Sequence, residues 1–459
     1  MILLLAAALA SCSIPEASER IASQPCIFPD YAGVTVPVNI APLNFRLDEE
    51  CEDAWLMLES GDASCSVRGP EFDIPLKDWR ALTAAGDISA TVTVRRDGTW
   101  RAFEPFTIFV SPERIDPWLT YRLIEPGYES WSGMGLYQRD LRSYREYTIV
   151  ENSSAANGCV NCHTFQGGNP ERMLFHARGK GGGTVFADGD SVKLTNLADV
   201  GIKRQGTYPA WHPDGRYVVF SSNTTKQCFT YADPQPIEVY DTVSDIILFD
   251  TLTGESSTYP PLCTEETLET FPAWSPDGTT LYYCASANTP DNGKQRGDVR
   301  YRLMSIAFSD GAFTGEPKTV WECDSISVSF PRVNGDKILF MASAYGTFPI
   351  WHKEADLWLL DPVTGEASPA AQLNSTDTES YHSWSSNGRW VVFSSRRTDG
   401  RYTRLYISHW DGANFTKPFL LPQKDPAHND LRLKSYNIPE FVKGRVPDRN
   451  KAVSKLFSR

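Results

Sequence analysis

Pro209-Ala210-Trp211-His212-Pro213-Asp214-Gly215-Arg216-Tyr217-Val218-Val219-Phe220-Ser221-Ser222 is the stretch that decides the fold, because it comes back. It returns as Pro272-Ala273-Trp274-Ser275-Pro276-Asp277-Gly278 followed by Leu281-Tyr282-Tyr283, and as Ser383-Trp384-Ser385-Ser386-Asn387-Gly388-Arg389-Trp390-Val391-Val392-Phe393-Ser394-Ser395. A worn copy runs from Phe330-Pro331-Arg332-Val333-Asn334-Gly335 to Ile338-Leu339-Phe340. Each copy reads as a strand, a tight Asp-Gly or Asn-Gly turn and a buried apolar strand, which is a hairpin signal. A second hairpin follows within the unit, seen in Ile246-Ile247-Leu248-Phe249-Asp250 before Thr253-Gly254-Glu255. Its counterpart is Leu357-Trp358-Leu359-Leu360-Asp361 before Thr364-Gly365-Glu366. Four strands recurring every ~50–60 residues predict the blades of a β-propeller.

These repeats resemble the WD40-like blades of TolB-type propellers over about Leu119 to Val442. Four blades lie between Thr207 and Pro422, and a shorter one runs from Met173-Leu174-Phe175-His176 to Val192-Lys193-Leu194. A sixth is expected from Gly135-Leu136-Tyr137-Gln138-Arg139 and Tyr147-Thr148-Ile149-Val150 as outer strands, completed by the C-terminal Tyr436-Asn437-Ile438-Pro439-Glu440-Phe441. Closing the ring with both ends of the chain hides strand edges that would otherwise recruit other chains.

Ahead of the repeats, residues 26–112 carry short alternating runs such as Val34-Thr35-Val36, Leu43 to Leu47, Ala54 to Leu58, Ser89 to Val94 and Phe106 to Val110. Period-two alternation of this kind predicts an antiparallel β-sandwich, immunoglobulin-like in plan. The expected fold is therefore all-β: a sandwich over 26–112, a propeller of six blades over 119–442 and a C-terminal tail over 443–459.

The first residues, Met1-Ile2-Leu3-Leu4-Leu5-Ala6-Ala7-Ala8-Leu9-Ala10-Ser11-Cys12, form an apolar run too short to span a bilayer but suited to a signal-peptide core. Leu9-Ala10-Ser11-Cys12 resembles the lipobox of bacterial lipoproteins, which implies lipid on Cys12, a polar tether over 13–25 and membrane attachment by that anchor alone. Ten cysteines are present. An oxidising compartment permits disulfides, and Cys51 with Cys65 and Cys228 with Cys263 are the nearest pairs. The net charge of −13 argues against a nucleic-acid partner, whose phosphates would be repelled.

The chemistry-bearing motif is Cys159-Val160-Asn161-Cys162-His163. Two thiols at this spacing can bond the two vinyl groups of one haem while the adjoining imidazole ligates iron, so the run predicts one covalent haem c with His163 as the metal ligand. Structural zinc needs two further ligands that do not lie nearby, a redox dithiol needs a βαβ setting, and chance is the remaining alternative. Placed in a loop over 152–170 between two blades, the haem is expected near the central channel. His176 leads as the second axial ligand, with Met173 or His382 as alternatives. If Met173 to His176 form a strand, those two side chains point to opposite faces and at most one can serve. Arg178 and Lys180, with Arg172, are candidates for the haem propionates.

Together, the lipobox, sandwich, C-x-x-C-H and propeller resemble a family of Gram-negative exported lipoproteins described as TolB-like with a cytochrome c motif. The resemblance implies a cell-envelope protein that presents its haem for electron transfer or redox sensing with a redox partner. The alternative is a propeller scaffold that binds an envelope protein with no redox role. A hydrolase finds no support, since no G-x-S-x-G elbow is present.

Overall fold

The computed structural model describes residues 14–126, 133–179, 181–197, 206–229, 237–288 and 296–458. Cys12 and Lys180 lie outside them. The chain divides into two compact units, one of residues 1–112 with 422–428 and one of residues 113–421 with 429–459.

The first unit is built on a seven-stranded and a three-stranded sheet. Ala54 to Leu58, Ser89 to Val94 and Phe106 to Val110 fall within strands, whereas strands take only Thr35 and Val36 of the first run and Phe45 to Leu47 of the second; Asp53–Ser60 and Ile88–Arg96 pair antiparallel in the larger sheet. Their inward residues, Ala54, Leu56, Leu58, Ala90, Val92 and Val94, are fully buried. Two features differ from the expected sandwich and tether. Leu76–Ala85 is an α-helix, pinned by fully buried Trp79, whose indole N–H donates to the Ile40 carbonyl at 3.0 Å. Part of the 13–25 tether is also a strand, Glu19–Ile21, paired parallel with Thr99–Phe103.

The second unit consists, among the described residues, of six four-stranded antiparallel sheets, the form of propeller blades. Five take their strands consecutively from the chain. The sixth combines Trp118–Ile124, Gly135–Asp140 and Glu146–Glu151 with the C-terminal Ser435–Val442 as its innermost strand. The other innermost strands are Val160–Phe165, Gly206–Trp211, Thr267–Trp274, Ser327–Asn334 and Glu379–Trp384. Each contacts the next in chain order, the last contacts Ser435–Val442, and that strand returns to Val160–Phe165. Neighbouring sheets interlock through buried aromatic and branched side chains. Trp274, Phe308 and Phe313, for example, pack with Val219 and Leu248 of the preceding sheet.

Residues 443–458 of the expected tail are not loose. Asn450–Phe457 is an α-helix whose Val453 is fully buried, and it shares a core with Val446, Ile149 and Val150. No helix among the described residues is long and apolar enough to cross a membrane. All nine described cysteines are free, so neither Cys51–Cys65 nor Cys228–Cys263 is joined. Cys65 turns instead toward Asp78 of the helix, at 3.8 Å.

Candidate functional site

Each innermost strand carries the same irregularity. Its pairing with the second strand slips by a residue, a β-bulge that leaves one side chain out of the ladder. In five of the six that residue has positive φ although it is not glycine: Cys162 (51°), Tyr208 (46°), Phe271 (53°), Phe330 (49°) and Ile438 (52°). Tyr381 occupies the matching place in the remaining strand. A left-handed backbone at aromatic residues is strained and survives only where packing over-determines it. Packing does so here. The Tyr208 and Phe271 rings lie 4.5 Å apart, Phe271 and Phe330 4.0 Å, and Phe330 and Tyr381 4.9 Å. Tyr208 also meets Phe330 at 5.6 Å, although their sheets are not neighbours, so the rings plug the space that the innermost strands enclose.

The C-x-x-C-H run is part of this pattern. Val160, Cys162, His163 and Phe165 are buried residues of the Val160–Phe165 strand, with Val160 and Phe165 in a core shared with the closing sheet. The expected 152–170 loop is thus a short 3-10 turn, an innermost strand and a second turn. Met173 does not begin an innermost strand either; it belongs to the second one, Arg172–Ala177. The sequence reading missed this because polar Asn161, His163 and Thr164 mask the alternation that the core residues keep.

Cys162 holds the plug position. Burial pushes its thiol pKa up, while nearby Arg178, the Tyr208 backbone N–H and Arg122 act against that rise. Burial likewise raises the Tyr208 and Tyr381 hydroxyls, and the field of Cys162 contributes to both. His163 follows as Pro209 follows Tyr208, Pro272 follows Phe271, Pro331 follows Phe330, His382 follows Tyr381 and Pro439 follows Ile438. The two histidines make matching contacts. His382 Nε2 lies 3.0 Å from the Leu339 carbonyl on the second strand of the preceding sheet, and His163 Nε2 lies 3.5 Å from Thr120 Oγ1 at the same place on its own preceding sheet. Burial, with Arg122 adding to it, pushes the His163 imidazole down to about 3. Burial, helped by Arg332, does the same for His382.

In this packing the motif is closed to a c-type haem unless the Val160–Phe165 strand opens. Cys162 and His163 are 4% and 3% exposed. The proposed second ligands are also misplaced. On the Arg172–Ala177 strand, His176 shares a face with Leu174, which packs toward the next sheet, whereas His163 faces the preceding one. Met173 is fully buried on the face opposite His176, packed with Phe165 and Phe175, and His382 is four sheets further along the chain. Arg178 is exposed beside Cys159, whose carbonyl accepts its backbone N–H at 2.8 Å. Arg172 sits at the other end of the same strand, over the Trp211 ring and 3.5 Å from Asp188. Among the described residues no three His, Cys, Asp or Glu side chains are grouped to hold a metal.

Two polar regions that the sequence reading did not single out emerge instead. One is the residue after the proline or histidine in each innermost strand: Thr164, Ala210, Ala273, Arg332, Ser383 and Glu440. Two of the six carry charge, and a column-wise comparison of the repeats would have exposed them. Glu440 accepts the Phe165 backbone N–H at 3.0 Å and the Thr164 hydroxyl at 3.3 Å, yet burial still pushes its carboxyl up to about 7. Burial draws the Arg332 guanidinium down, with Glu440 pulling the other way.

The other region lies at the end where the innermost strands begin. A cleft of about 470 Å³ there is lined by Ser286, Asp298, Arg300, Tyr301, Glu322 and Asp324 among others. On the same side the long hairpin of Tyr217–Phe229 and Ile237–Asp250 carries Glu238 to His352, 2.6 Å from its Nε2, and Glu354 approaches Nδ1 at 3.1 Å. Burial alone would lower the His352 pKa, but its hydrogen bonds to these carboxylates outweigh burial and push it up to about 9.

The topology defines a β-propeller protein. No family model matches the chain, and no curated protein matches it by sequence. Among solved structures it is similar to the periplasmic gluconolactonase of Pseudomonas aeruginosa at 12% identity and a TM-score of 0.36, over 72% of this chain and all of that one. It is similar to an oligogalacturonate lyase of Vibrio parahaemolyticus at 9% identity and 0.35, over 66% and 86% of the two chains. It is similar also to prolyl oligopeptidase B of Galerina marginata at 12% and 0.36, over 65% of this chain and only 43% of that protein. Likenesses this remote say nothing about what the chain binds or transforms.

Proposed function

We propose that the chain is an exported, lipid-tethered propeller of six TolB-like blades behind an immunoglobulin-like sandwich, acting as a binding scaffold for a protein of the cell envelope with no redox role. The observation that carries this reading is that Cys162 and His163 fill repeat positions held elsewhere by Tyr208 and Pro209, Phe271 and Pro272, or Tyr381 and His382. The blades thereby account for the motif without a cofactor. The closed cycle of contacts between innermost strands supports a six-membered ring. The cleft and charged groups at its strand-start end offer a partner both shape and charge. A photo-crosslinker placed at Asp324, beside the cleft, should capture a defined envelope protein in cells, and the same capture should persist with Cys162→Ala. Loss of the captured species in that variant, or no capture at all, removes the scaffold reading.

A second reading keeps the haem on Cys159 and Cys162 with His163 as iron ligand. It is favoured by one observation: His163 Nδ1, His176 Nδ1, Arg122 Nε and Thr184 Oγ1 are buried around the motif without hydrogen-bond partners. Buried polar atoms left unpaired are uncommon and ask for a missing group. A haem would supply one-electron chemistry toward a redox partner, and the chain would have to open the Val160–Phe165 strand to admit it. A Soret band in protein purified from the envelope, lost in Cys162→Ala, establishes this reading, and its absence removes it.

A further inference from the structure

One hairpin outgrows its sheet. Tyr217–Phe229 and Ile237–Asp250 pair as far as Phe229 with Ile237, but the innermost strand stops opposite Ser222 and the outermost opposite Ile247. Beyond those positions the pair is, among the described residues, a two-stranded arm. Such a ribbon is marginal in water unless it lies on something. Its two strands differ in burial. Ile237, Glu238 and Asp241 are 2%, 3% and 5% exposed, whereas Thr225, Lys226, Gln227 and Phe229 are exposed. The arm therefore lies on the protein by its returning strand, and it skips a sheet to do so. Glu238 meets His352 and, at 3.1 Å, the Tyr345 hydroxyl, both in the turn between Lys337–Ser343 and Asp356–Leu360. Those strands belong to the second sheet along, not to the adjoining one that contains Thr267–Trp274. Thr347 of the same turn donates to the Val239 carbonyl at 3.5 Å. On its way the arm closes a small pocket over Val299 and Tyr301, which lead into Arg302–Ser309 of the skipped sheet.

The contact at the far end is ionic. His352 is fully buried, and each ring nitrogen faces a carboxylate, Glu238 at 2.6 Å and Glu354 at 3.1 Å. An imidazole donates from both nitrogens only when it is protonated. The Tyr345 ring lies 4.6 Å from the imidazole and covers it. The remaining titratable and charged groups around the turn come from four directions. Cys228 and Asp241 lie on the arm, Tyr301 on the skipped sheet and Asp356 beyond Glu354. From the sheet after the turn come Arg396, over the Trp351 ring, and Glu379, which Arg397 pairs at 2.8 Å. From this arrangement we infer that the arm is a strap, latched to the second sheet along by the proton on His352 and released when that proton leaves. Burial works against the charge, but the hydrogen bonds to Glu238 and Glu354 outweigh it and push the imidazole up to about 9. Because that lies above the ordinary value near 6.5, the latch is complete below about pH 6.5 and is lost as pH climbs through about 9. Val299 and Tyr301 line the cleft as well as the pocket under the arm, so release bears on one wall of the cleft. The strap itself does not depend on whether the cleft takes a partner.

The test is hydrogen exchange of the full chain, read on peptides and corrected for the intrinsic pH dependence of amide exchange. At about pH 7, Glu238→Gln and His352→Gln should each speed exchange in the arm by at least about tenfold, while Thr267–Trp274 and Ser327–Asn334 keep their protection. Taking the wild type from about pH 7 to about pH 10 should release the arm in the same selective way. Glu238→Gln should lose most of that pH dependence. Glu354→Gln, which removes one of the two carboxylates, should move the release to lower pH. Tyr345→Phe spares both carboxylates and the imidazole, so it should keep the pH dependence. The inference is overturned if corrected exchange of the wild-type arm is flat over that range, or if it rises only together with the two reference strands. It is overturned equally if folded Glu238→Gln or His352→Gln exchanges like the wild type. Should either variant fail to fold, the wild-type pH series decides.

Discussion

Two innermost strands invite comparison: Val160–Phe165, which carries Cys162-His163, and Glu379–Trp384, which carries Tyr381-His382. Both place a buried histidine directly after a residue that turns into the central plug, and both aim that imidazole at the same place on the preceding sheet. They differ in what surrounds it. His382 has a carbonyl at hydrogen-bond distance and Tyr381 has an aromatic partner, whereas His163 reaches only a hydroxyl at 3.5 Å and Cys162 is a small thiol. The difference teaches that a five-residue motif can arise inside a repeat whose positions already favour those residues. It also shows that the copy bearing the motif is the less well satisfied of the two.

The largest expected effect concerns the plug. Phe271→Ala should lower the unfolding free energy in urea by about 3–5 kcal/mol, and Cys162→Ala by only about 1 kcal/mol, because fewer contacts are lost. A Cys162→Ala cost equal to that of Phe271→Ala would show that the thiol does more than fill space.

Next in size is a dependence on pH. His163 and His382 both fold with imidazoles pushed down to about 3 by burial, below the ordinary value near 6.5. The unfolded chain therefore binds more protons between those limits, so stability is intact above about pH 6.5 and falls as pH drops toward 3. Each ring should cost about 3 kcal/mol by pH 4, read as the slope of unfolding free energy against pH. His163→Gln and His382→Gln should flatten that slope equally. A slope that responds to His382 alone would break the symmetry and point to an iron-bound His163.

Smaller still is the contrast on truncation. His382→Ala strands the Leu339 carbonyl and should cost about 1–3 kcal/mol, while His163→Ala, with no strong hydrogen bond to lose, should cost less. The smallest effect is expected of His163→Pro. Proline holds this position after Tyr208, Phe271, Phe330 and Ile438, so thermal unfolding of the variant should move by no more than about 1 kcal/mol of stability. A variant that fails to fold would show that this repeat has left the common backbone path.

Much of the architecture was legible because it rests on local, repeated signals. Asp277-Gly278 and Asn387-Gly388 announce turns, and Val391-Val392-Phe393 announces a buried strand, whatever lies elsewhere in the chain. The C-terminal strand was legible too, since Tyr436 to Phe441 keeps the alternation of the others. The helix Leu76–Ala85 escaped notice because its apolar face is narrow, Trp79, Leu82 and Thr83 being its buried residues. The fate of Cys159-Val160-Asn161-Cys162-His163 escaped for a different reason. Read alone, its spacing speaks for cofactor chemistry; aligned against Thr207-Tyr208-Pro209, it speaks for a bulged strand.

By itself the sequence determined the all-β composition, the recurring four-stranded unit and the turns that punctuate it, because each follows from backbone chemistry acting over a few residues. Only the tertiary structure decided that Cys162 takes the same bulged place as Tyr208, Phe271, Phe330 and Tyr381. That arrangement joins strands far apart in the chain, and its energy comes from burial, a quantity that no local spacing encodes.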